Sequence, residues 1–138
     1  MAHFEIQDLT FTYPTAGGRP SLTDVSLSIA PGEYVVLCGR SGSGKTTLLR
    51  HLKTVLTPQG KRSGRVLFCG KPLGEVTPEE QASRIGYVMQ NPDEQIVTDK
   101  VWHELAFGLE SLGCDQKTMR ARVAEMACYF GIQDWFHR

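Results

Sequence analysis

The chain has 138 residues, and its 15 Lys and Arg balance its 15 Asp and Glu, so the formal net charge is zero. A neutral chain lacks the positive charge with which proteins capture nucleic acid or anionic membranes in bulk, so we expect no nucleic-acid partner. The hydrophobic fraction of 41% and the charged fraction of 22% are typical of a globular protein and exclude a disordered tail. No apolar run reaches the roughly 20 residues that a membrane-spanning helix needs.

Cysteine and histidine residues are scattered along the chain. The closest two cysteines are 14 positions apart, and no C-x-x-C or H-E-x-x-H pairing occurs. This spacing, with no secretory signal at the N-terminus, predicts reduced thiols in or near the core of a cytosolic protein. It argues against a disulfide framework and a zinc site. The four cysteines are Cys38, Cys69, Cys114 and Cys128.

The first third of the chain alternates apolar and polar residues in period two, which is typical of half-buried strands. One strand is predicted from Phe4 to Tyr13, interrupted after Ile6, and a second from Val25 to Ile29. Residues 14–20, rich in Pro and Gly, form the loop between them. The run Tyr34–Cys38 is continuously apolar and predicts a short strand that is buried on both faces.

Later segments alternate between helix and strand patterns. Leucines and valine share one helical stripe from Thr46 to Leu56, and strands are predicted over Arg65–Cys69 and Ile85–Met89. Four further helices are predicted from residues that cap helix N-termini, which are Thr77 (with Pro78 and Glu80), Thr98, Asp115 and Asp134. The helices after Thr98 and Asp115 are expected to end at Gly113 and Gly131.

The strongest chemical signal is the segment Gly39-Arg-Ser-Gly-Ser-Gly-Lys-Thr-Thr47, which matches G-x-x-x-x-G-K-[ST]. Its glycines let backbone N–H groups fold around phosphate oxygens, and the following helix points its positive end at the same anion. Lys45 is expected to reach the β- and γ-phosphates, and the Thr46 hydroxyl to bind Mg²⁺. The expected nucleotide-binding residues of this phosphate loop are Gly39, Arg40, Ser41, Gly42, Ser43, Gly44, Lys45, Thr46 and Thr47.

Three features in this order, Tyr13 after the first strand, the phosphate loop, and Ile85-Gly-Tyr-Val-Met-Gln90, resemble the ATP-binding subunits of ABC transporters. The run Gln90-Asn-Pro-Asp-Glu-Gln95, with the segment Val101–Gly108, resembles more narrowly the energy-coupling-factor importers of vitamins and transition metals. The resemblance covers the whole chain. It implies an α/β P-loop NTPase fold with a RecA-like core, an N-terminal antiparallel β subdomain and the start of a helical subdomain.

The resemblance also implies roles for single residues. Tyr13 would stack on adenine, Lys45 would act in catalysis, and Gln90 would place its side-chain oxygen near Mg²⁺ and the attacking water. From their own patterns, Tyr13 fits a half-buried strand residue equally well, and Gln90 fits a solvated residue at a strand end. Residues 1–90 would form part of the ATP-binding core, and residues 91–138 the exit from the Gln90 loop and the start of the helical subdomain.

The family carries further motifs that are not found in this sequence, namely an L-S-G-G-Q signature, an apolar strand ending in Asp-Glu, and a switch histidine. Phosphoryl transfer depends on positioning and electrostatic stabilisation, so we expect the 138-residue chain alone to be inactive. It is interpreted as a truncated fold, roughly the first half of a transporter ATPase that uses ATP and Mg²⁺. The implied partners are a second ATP-binding subunit and a transmembrane transporter subunit, at the cytoplasmic face of the cell membrane.

Two other classes of protein remain open from the sequence. One is another P-loop enzyme, such as a small-molecule kinase or a GTPase, although the N-K-x-D guanine motif does not occur. The other is a half-length nucleotide-binding or regulatory module without turnover. Nothing in the sequence identifies a transported substrate.

Overall fold

A computed structural model describes residues 1–138, which form two compact units, Met1–Gln81 and Ala82–Arg138. The expected boundary at residues 90/91, between the ATP-binding core and the start of the helical subdomain, stays a prediction. None of the helices is long and apolar enough to cross a membrane.

A four-stranded antiparallel sheet organises the first unit. Its strands are β1 (Phe4–Thr12), β2 (Leu22–Ile29), β3 (Lys61–Phe68) and β4 (Lys71–Pro72), in the spatial order β2-β1-β3-β4. The strands that the period-two alternation predicts are confirmed. β3 begins earlier than predicted, because the polar residues at its start pair with the end of β1.

The interruption in the alternation of β1 is a bulge. Ile6 and Leu9 are both buried although they are three positions apart, and the pairing register shifts between them. Asp8 lies in the interval with φ +50°, and Gly64 lies beside it in β3 with φ +87°. A Cβ at Gly64 would stand 2.4 Å from the Asp8 carbonyl oxygen, so only glycine fits there.

Two predicted strands are wrong in this structure. Neither Tyr34–Cys38 nor Ile85–Met89 is a strand. Tyr34 is 91% exposed and Val88 75% exposed, whereas Ile85 is buried. A strand needs a neighbour that satisfies its backbone N–H and C=O groups, and neither segment pairs with a strand of this chain. The sheet that forms is the antiparallel one, and these segments do not build the parallel sheet of a RecA-like core.

The helix after the phosphate loop is shorter than predicted. The helix α1 spans Lys45–Arg50, the backbone is extended at Lys53 (φ −144°, ψ 119°), and a 3₁₀ turn follows at Thr54–Leu56. The Thr54 backbone N–H and hydroxyl donate to the Gln81 side-chain oxygen at 3.0 and 2.9 Å. These bonds hold the turn in place of a continuous helix.

Three further helices follow, α2 (Pro78–Arg84), α3 (Val101–Ser111) and α4 (Gln116–Phe130). The Thr77 hydroxyl accepts from the Glu80 N–H at 3.2 Å, and Asp115 accepts from two N–H groups at the start of α4, so both predicted caps are confirmed. The Thr98 cap is wrong. Its N–H and hydroxyl instead donate to the Glu104 carboxylate at 2.9 Å each, and α3 begins without a side-chain cap.

The C-terminal ends of α3 and α4 agree with the prediction, whereas the Asp134 helix and the location of two cysteines do not. Gly113 and Gly131 end α3 and α4 with positive φ, as predicted. Around Asp134 a short 3₁₀ turn stands in place of the predicted helix. None of the four cysteines forms a disulfide, but Cys38 and Cys128 are exposed, so their predicted core location is wrong. Cys38 lies in the unpaired apolar segment, and Cys128 lies on the exposed side of α4.

Candidate nucleotide-binding site

The phosphate loop lies against the start of β2. Gly42 and Gly44 have φ values of +78° and +94°, a backbone conformation that residues with a side chain rarely adopt. A Cβ at Gly44 would stand 2.7 Å from the Ser21 carbonyl oxygen and 3.0 Å from the Leu22 side chain. The sequence therefore needs glycine at position 44 both for its conformation and for its close approach to the sheet.

The side chain of Lys45 folds back over the loop. Its Nζ donates to the carbonyl oxygens of Gly39 and Arg40, each at 2.8 Å, and to the Ser43 hydroxyl at 3.3 Å. Nζ is an ammonium with three donors, and all three meet loop oxygens that an anionic ligand could replace. The positive charge is thus held within the loop, where the motif requires it.

Backbone donors at the start of α1 remain for a ligand. The first helical bond runs from the Leu48 N–H to the Gly44 carbonyl at 2.8 Å, and no side chain caps this end. The N–H groups of Lys45, Thr46 and Thr47 therefore have no acceptor within the helix. The Thr46 side chain is exposed, so its hydroxyl is accessible to a metal ion. These residues fit a Mg²⁺-bound triphosphate.

Tyr13 is brought to the phosphate loop. Its hydroxyl lies 3.0 Å from the Thr47 hydroxyl, and its ring packs edge-on against Phe11 with a centroid distance of 4.8 Å. The tyrosine is half-buried and Thr47 is buried. The contact fixes the ring beside the end of the loop. The expected stacking on adenine stays a prediction.

His51 is a residue near the site that sequence reasoning missed. It is completely buried, its Nδ1 donates to the Thr47 carbonyl oxygen at 2.7 Å, and its ring packs against Phe11 at 4.7 Å. Its Nε2 has no hydrogen-bond partner. Burial lowers the pKa of His51 despite the bond to Thr47, and the positive charge of Arg62 lowers it further. His51 is therefore neutral at physiological pH, and the only sequence signal for it is its position one turn after Thr47.

Gln90 belongs to the second unit, where it is exposed at a bend. The segment before it is held by Gln95, whose side-chain oxygen accepts from the Met89 N–H at 2.7 Å. The Gln95 amide nitrogen donates to the Tyr87 carbonyl at 3.1 Å. Gln95 thus satisfies two backbone groups of this segment, which would otherwise need a neighbouring strand. The expected role of Gln90 at Mg²⁺ stays a prediction.

Comparison with known proteins gives a consistent result. A sequence model of the family described as ABC transporter matches residues 22–138. An ABC transporter ATP-binding protein of Bacillus cereus is 44% identical over 138 residues, which are 100% of this chain and 25% of that protein. The energy-coupling factor transporter ATP-binding protein EcfA1 of Lacticaseibacillus paracasei is 42% identical over 120 residues, covering 87% of this chain and 42% of that protein.

A more distant relative is an ABC transporter ATP-binding protein of Vibrio parahaemolyticus, 35% identical over 96% of this chain and 22% of that protein. The chain spans about a quarter of the length of the first curated relatives that it matches, at 25% each. The family match covers the phosphate loop and all later elements, and it sets aside the kinase and GTPase alternatives. The chain belongs to the ABC transporter family.

Proposed function

We propose that this chain binds Mg-ATP through Gly39–Thr47 as the ATP-binding part of an ABC importer of the energy-coupling type. The observation that carries the proposal is the Lys45 ammonium, which is bonded to three oxygens of its own loop. The 42% identity to a protein named as an energy-coupling factor ATP-binding protein supports the narrower type.

Each residue of the site has a task in this proposal. Lys45 exchanges its loop oxygens for phosphate oxygens, and the free N–H groups of α1 orient the same phosphates. The Thr46 hydroxyl and Gln90 hold Mg²⁺, which when bound neutralises charge on the phosphates. Tyr13 stacks on adenine. Gln90 orients the attacking water.

The complete enzyme has a larger architecture in this proposal. A second ATP-binding subunit faces the first, and ATP closes the pair at the cytoplasmic face of the membrane, where a transmembrane subunit responds. Exposed apolar side chains in two predicted strands, Tyr34, Val36 and Val88, support a RecA-like core, because a parallel sheet buries strands of this composition on both faces. The 138 residues alone bind ATP without hydrolysing it.

Removing the Lys45 charge tests nucleotide binding directly. In Lys45→Ala, Mg-ATP affinity measured by calorimetry should fall about 10- to 100-fold, since a hydrogen bond to a charged group contributes about 1.5–3 kcal/mol. Lys61→Ala, at an exposed position of β3, is the matched control and should bind as the unmodified chain does. Equal affinity for all three proteins would contradict the proposal.

Two substitutions separate the roles of Tyr13. Tyr13→Ala should lower the affinity for ATP about tenfold but leave the affinity for free triphosphate unchanged, because base stacking contributes about 1–3 kcal/mol. Tyr13→Phe keeps the ring and removes the hydroxyl that contacts Thr47. Equal losses for ATP and triphosphate in both variants would show that Tyr13 only positions the loop.

Turnover is tested with the same preparations. Phosphate release by the 138-residue chain with Mg-ATP should not exceed the background of buffer alone. Release that Lys45→Ala abolishes would show that the site is complete and would overturn the expected inactivity.

A further inference from the structure

The buried imidazole of His51 is bonded to the end of the phosphate loop. His51 follows α1 directly, and its Nδ1 donates to the Thr47 carbonyl oxygen at 2.7 Å. Its backbone N–H donates to the same oxygen at 3.3 Å, which is long for a helical bond. The side chain therefore supplies the shorter of the two bonds from His51 that hold the Thr47 peptide group.

Thr47 connects this bond to Tyr13. The Thr47 hydroxyl lies 3.0 Å from the Tyr13 hydroxyl, and Thr47 is buried, so water competes little for either of its polar groups. The carbonyl that His51 holds and the hydroxyl that meets Tyr13 belong to one residue. A displacement of Thr47 would therefore move the hydrogen-bond partner of the tyrosine.

An aromatic ring makes a second connection between the two residues. The Phe11 ring packs edge-on against His51 at a centroid distance of 4.7 Å and against Tyr13 at 4.8 Å. Phe11 is buried, and a Cβ on Gly60 would stand 2.7 Å from its ring, so the Gly60 backbone packs directly against it. The imidazole and the phenol ring are thus held on one ring that has little room to move.

The other imidazole nitrogen indicates what a histidine adds at this position. His51 Nε2 is buried and has no hydrogen-bond partner, an arrangement that costs stability. A phenylalanine would pack against Phe11 without an unpaired polar atom. The bond from Nδ1 to Thr47 is therefore the contribution of the imidazole that an apolar ring lacks.

We propose that His51 is a positioning residue, which holds the Tyr13 ring in the orientation that receives the base of ATP. It acts through Thr47 and Phe11 and, being completely buried, does not contact the nucleotide itself. The inference rests on the proposed function, in which Tyr13 stacks on adenine. His51 thereby raises the selectivity of the site for ATP over free triphosphate.

The test compares two ligands by calorimetry, Mg-ATP and inorganic triphosphate with Mg²⁺. In His51→Phe, the affinity for ATP should fall about 3- to 10-fold, because a misplaced Tyr13 ring loses part of the stacking energy. The affinity for triphosphate should not change. The control His103→Phe alters a histidine of the second unit and should leave both affinities unchanged.

A conservative variant separates positioning from packing. In His51→Asn, the side-chain amide nitrogen stands where Nδ1 was, so the bond to Thr47 is kept although the ring is lost. We expect this variant to recover most of the ATP affinity that His51→Phe loses. A role in packing alone predicts the reverse order, because asparagine leaves a cavity beside Phe11 and phenylalanine fills it.

The connection between His51 and Tyr13 is also tested without nucleotide. Tyr13→Phe and His51→Phe each remove one of the two contacts that meet at Thr47. In urea unfolding, the double variant should therefore lose less stability than the sum of the two single losses. Additive losses would overturn the connection whether or not the chain binds ATP.

The binding results distinguish this inference from the proposed function. Selective loss of ATP affinity in Tyr13→Ala but not in His51→Phe would overturn the role of His51 alone. Equal losses of ATP and triphosphate affinity in His51→Phe would also overturn it, because His51 would then act on the whole loop. Unchanged ATP affinity in Lys45→Ala would instead contradict the proposed function.

Discussion

The first unit buries nine apolar side chains, and the second buries four. Those of the first unit are Ile6, Leu9, Phe11, Leu22, Leu48, Val66, Phe68, Leu73 and Val76, and those of the second are Ile85, Ala106, Val123 and Ala127. The second unit leaves large aromatic side chains in solvent, with Tyr129 at 80% and Phe130 at 63% exposure. A sheet face gathers side chains from several strands, whereas two helices share only one narrow stripe.

Two glutamines show the same difference in polar groups. Gln81 is buried, and its amide nitrogen donates to the Leu73 and Val76 carbonyls at 3.1 and 2.9 Å. Its oxygen accepts two bonds from Thr54. Gln95 makes two backbone bonds in solvent. A satisfied polar group contributes most where water cannot replace it, so the first unit should be the more sensitive to substitution.

The largest effect should come from Gln81→Ala, compared with Gln95→Ala. Gln81→Ala removes four hydrogen bonds, two of them to the buried carbonyls of Leu73 and Val76, and we expect the free energy of unfolding to fall by about 3–5 kcal/mol. Gln95→Ala should cost less than about 1 kcal/mol, since water replaces its bonds. Urea unfolding of both variants is the measurement, and equal costs would break the contrast between the units.

The next effect should come from Gly64→Ala, compared with Gly131→Ala. Both glycines have positive φ, but a Cβ at Gly64 meets the Asp8 backbone at 2.4 Å while a Cβ at Gly131 meets nothing. We expect the free energy of unfolding to fall by about 2–4 kcal/mol in Gly64→Ala, from backbone strain and steric collision. In Gly131→Ala it should fall by about 1 kcal/mol, from backbone strain alone. A Gly64→Ala cost no larger than that of Gly131→Ala would show that the bulge adapts.

A smaller effect should appear as pH dependence. Burial lowers the pKa of His51, so the unfolded chain binds a proton more readily, and the free energy of unfolding should decrease as pH falls below about 6.5. His51→Phe should reduce that decrease, as seen in urea midpoints between neutral and mildly acidic pH. The matched change His103→Phe in the second unit should leave it in place. The same decrease in His51→Phe as in the unmodified chain would contradict the assignment.

The smallest effect should come from the cap of α4. Asp115 accepts from the N–H groups of Lys117 and Thr118, and the bond from the Thr118 hydroxyl is the main cause that lowers the pKa of this exposed carboxyl. The capping bonds should weaken as pH falls through that lowered pKa, because the protonated carboxyl accepts poorly. Asp115→Ala should reduce helicity in circular dichroism slightly at neutral pH. Unchanged helicity would show that the cap does not limit α4.

Local patterns predicted the parts of the fold that local contacts determine. Period-two alternation predicted β1 and most of β2, and the strand predicted over Arg65–Cys69 is the second half of β3. Helix ends were marked by Thr77, Asp115, Gly113 and Gly131, because capping involves only neighbouring residues. The bulge at Asp8 showed only as an interruption of the alternation. The predicted length of α1 is wrong because the 3₁₀ turn that replaces its second half is held by Gln81, which is distant in the sequence.

The candidate site was found in part for the same reason. The phosphate loop is a contiguous motif, so its residues and the position of Lys45 followed from the sequence. His51 and the Tyr13–Thr47 contact depend on how β1 packs against α1, which no spacing in the sequence indicates. The prediction of a strand over Tyr34–Cys38 is wrong because a strand needs a neighbouring strand to pair with, and the composition of a segment does not show whether one is present.

If ATP binds on the phosphate loop of the first unit, Mg-ATP should protect the backbone amides of that loop from exchange. Amide hydrogen exchange of the 138-residue chain, with and without Mg-ATP, tests it residue by residue. We expect slower exchange at residues 40–48 with Mg-ATP, and no such change in Lys45→Ala. Slower exchange that spares this loop, or that persists in Lys45→Ala, would contradict it.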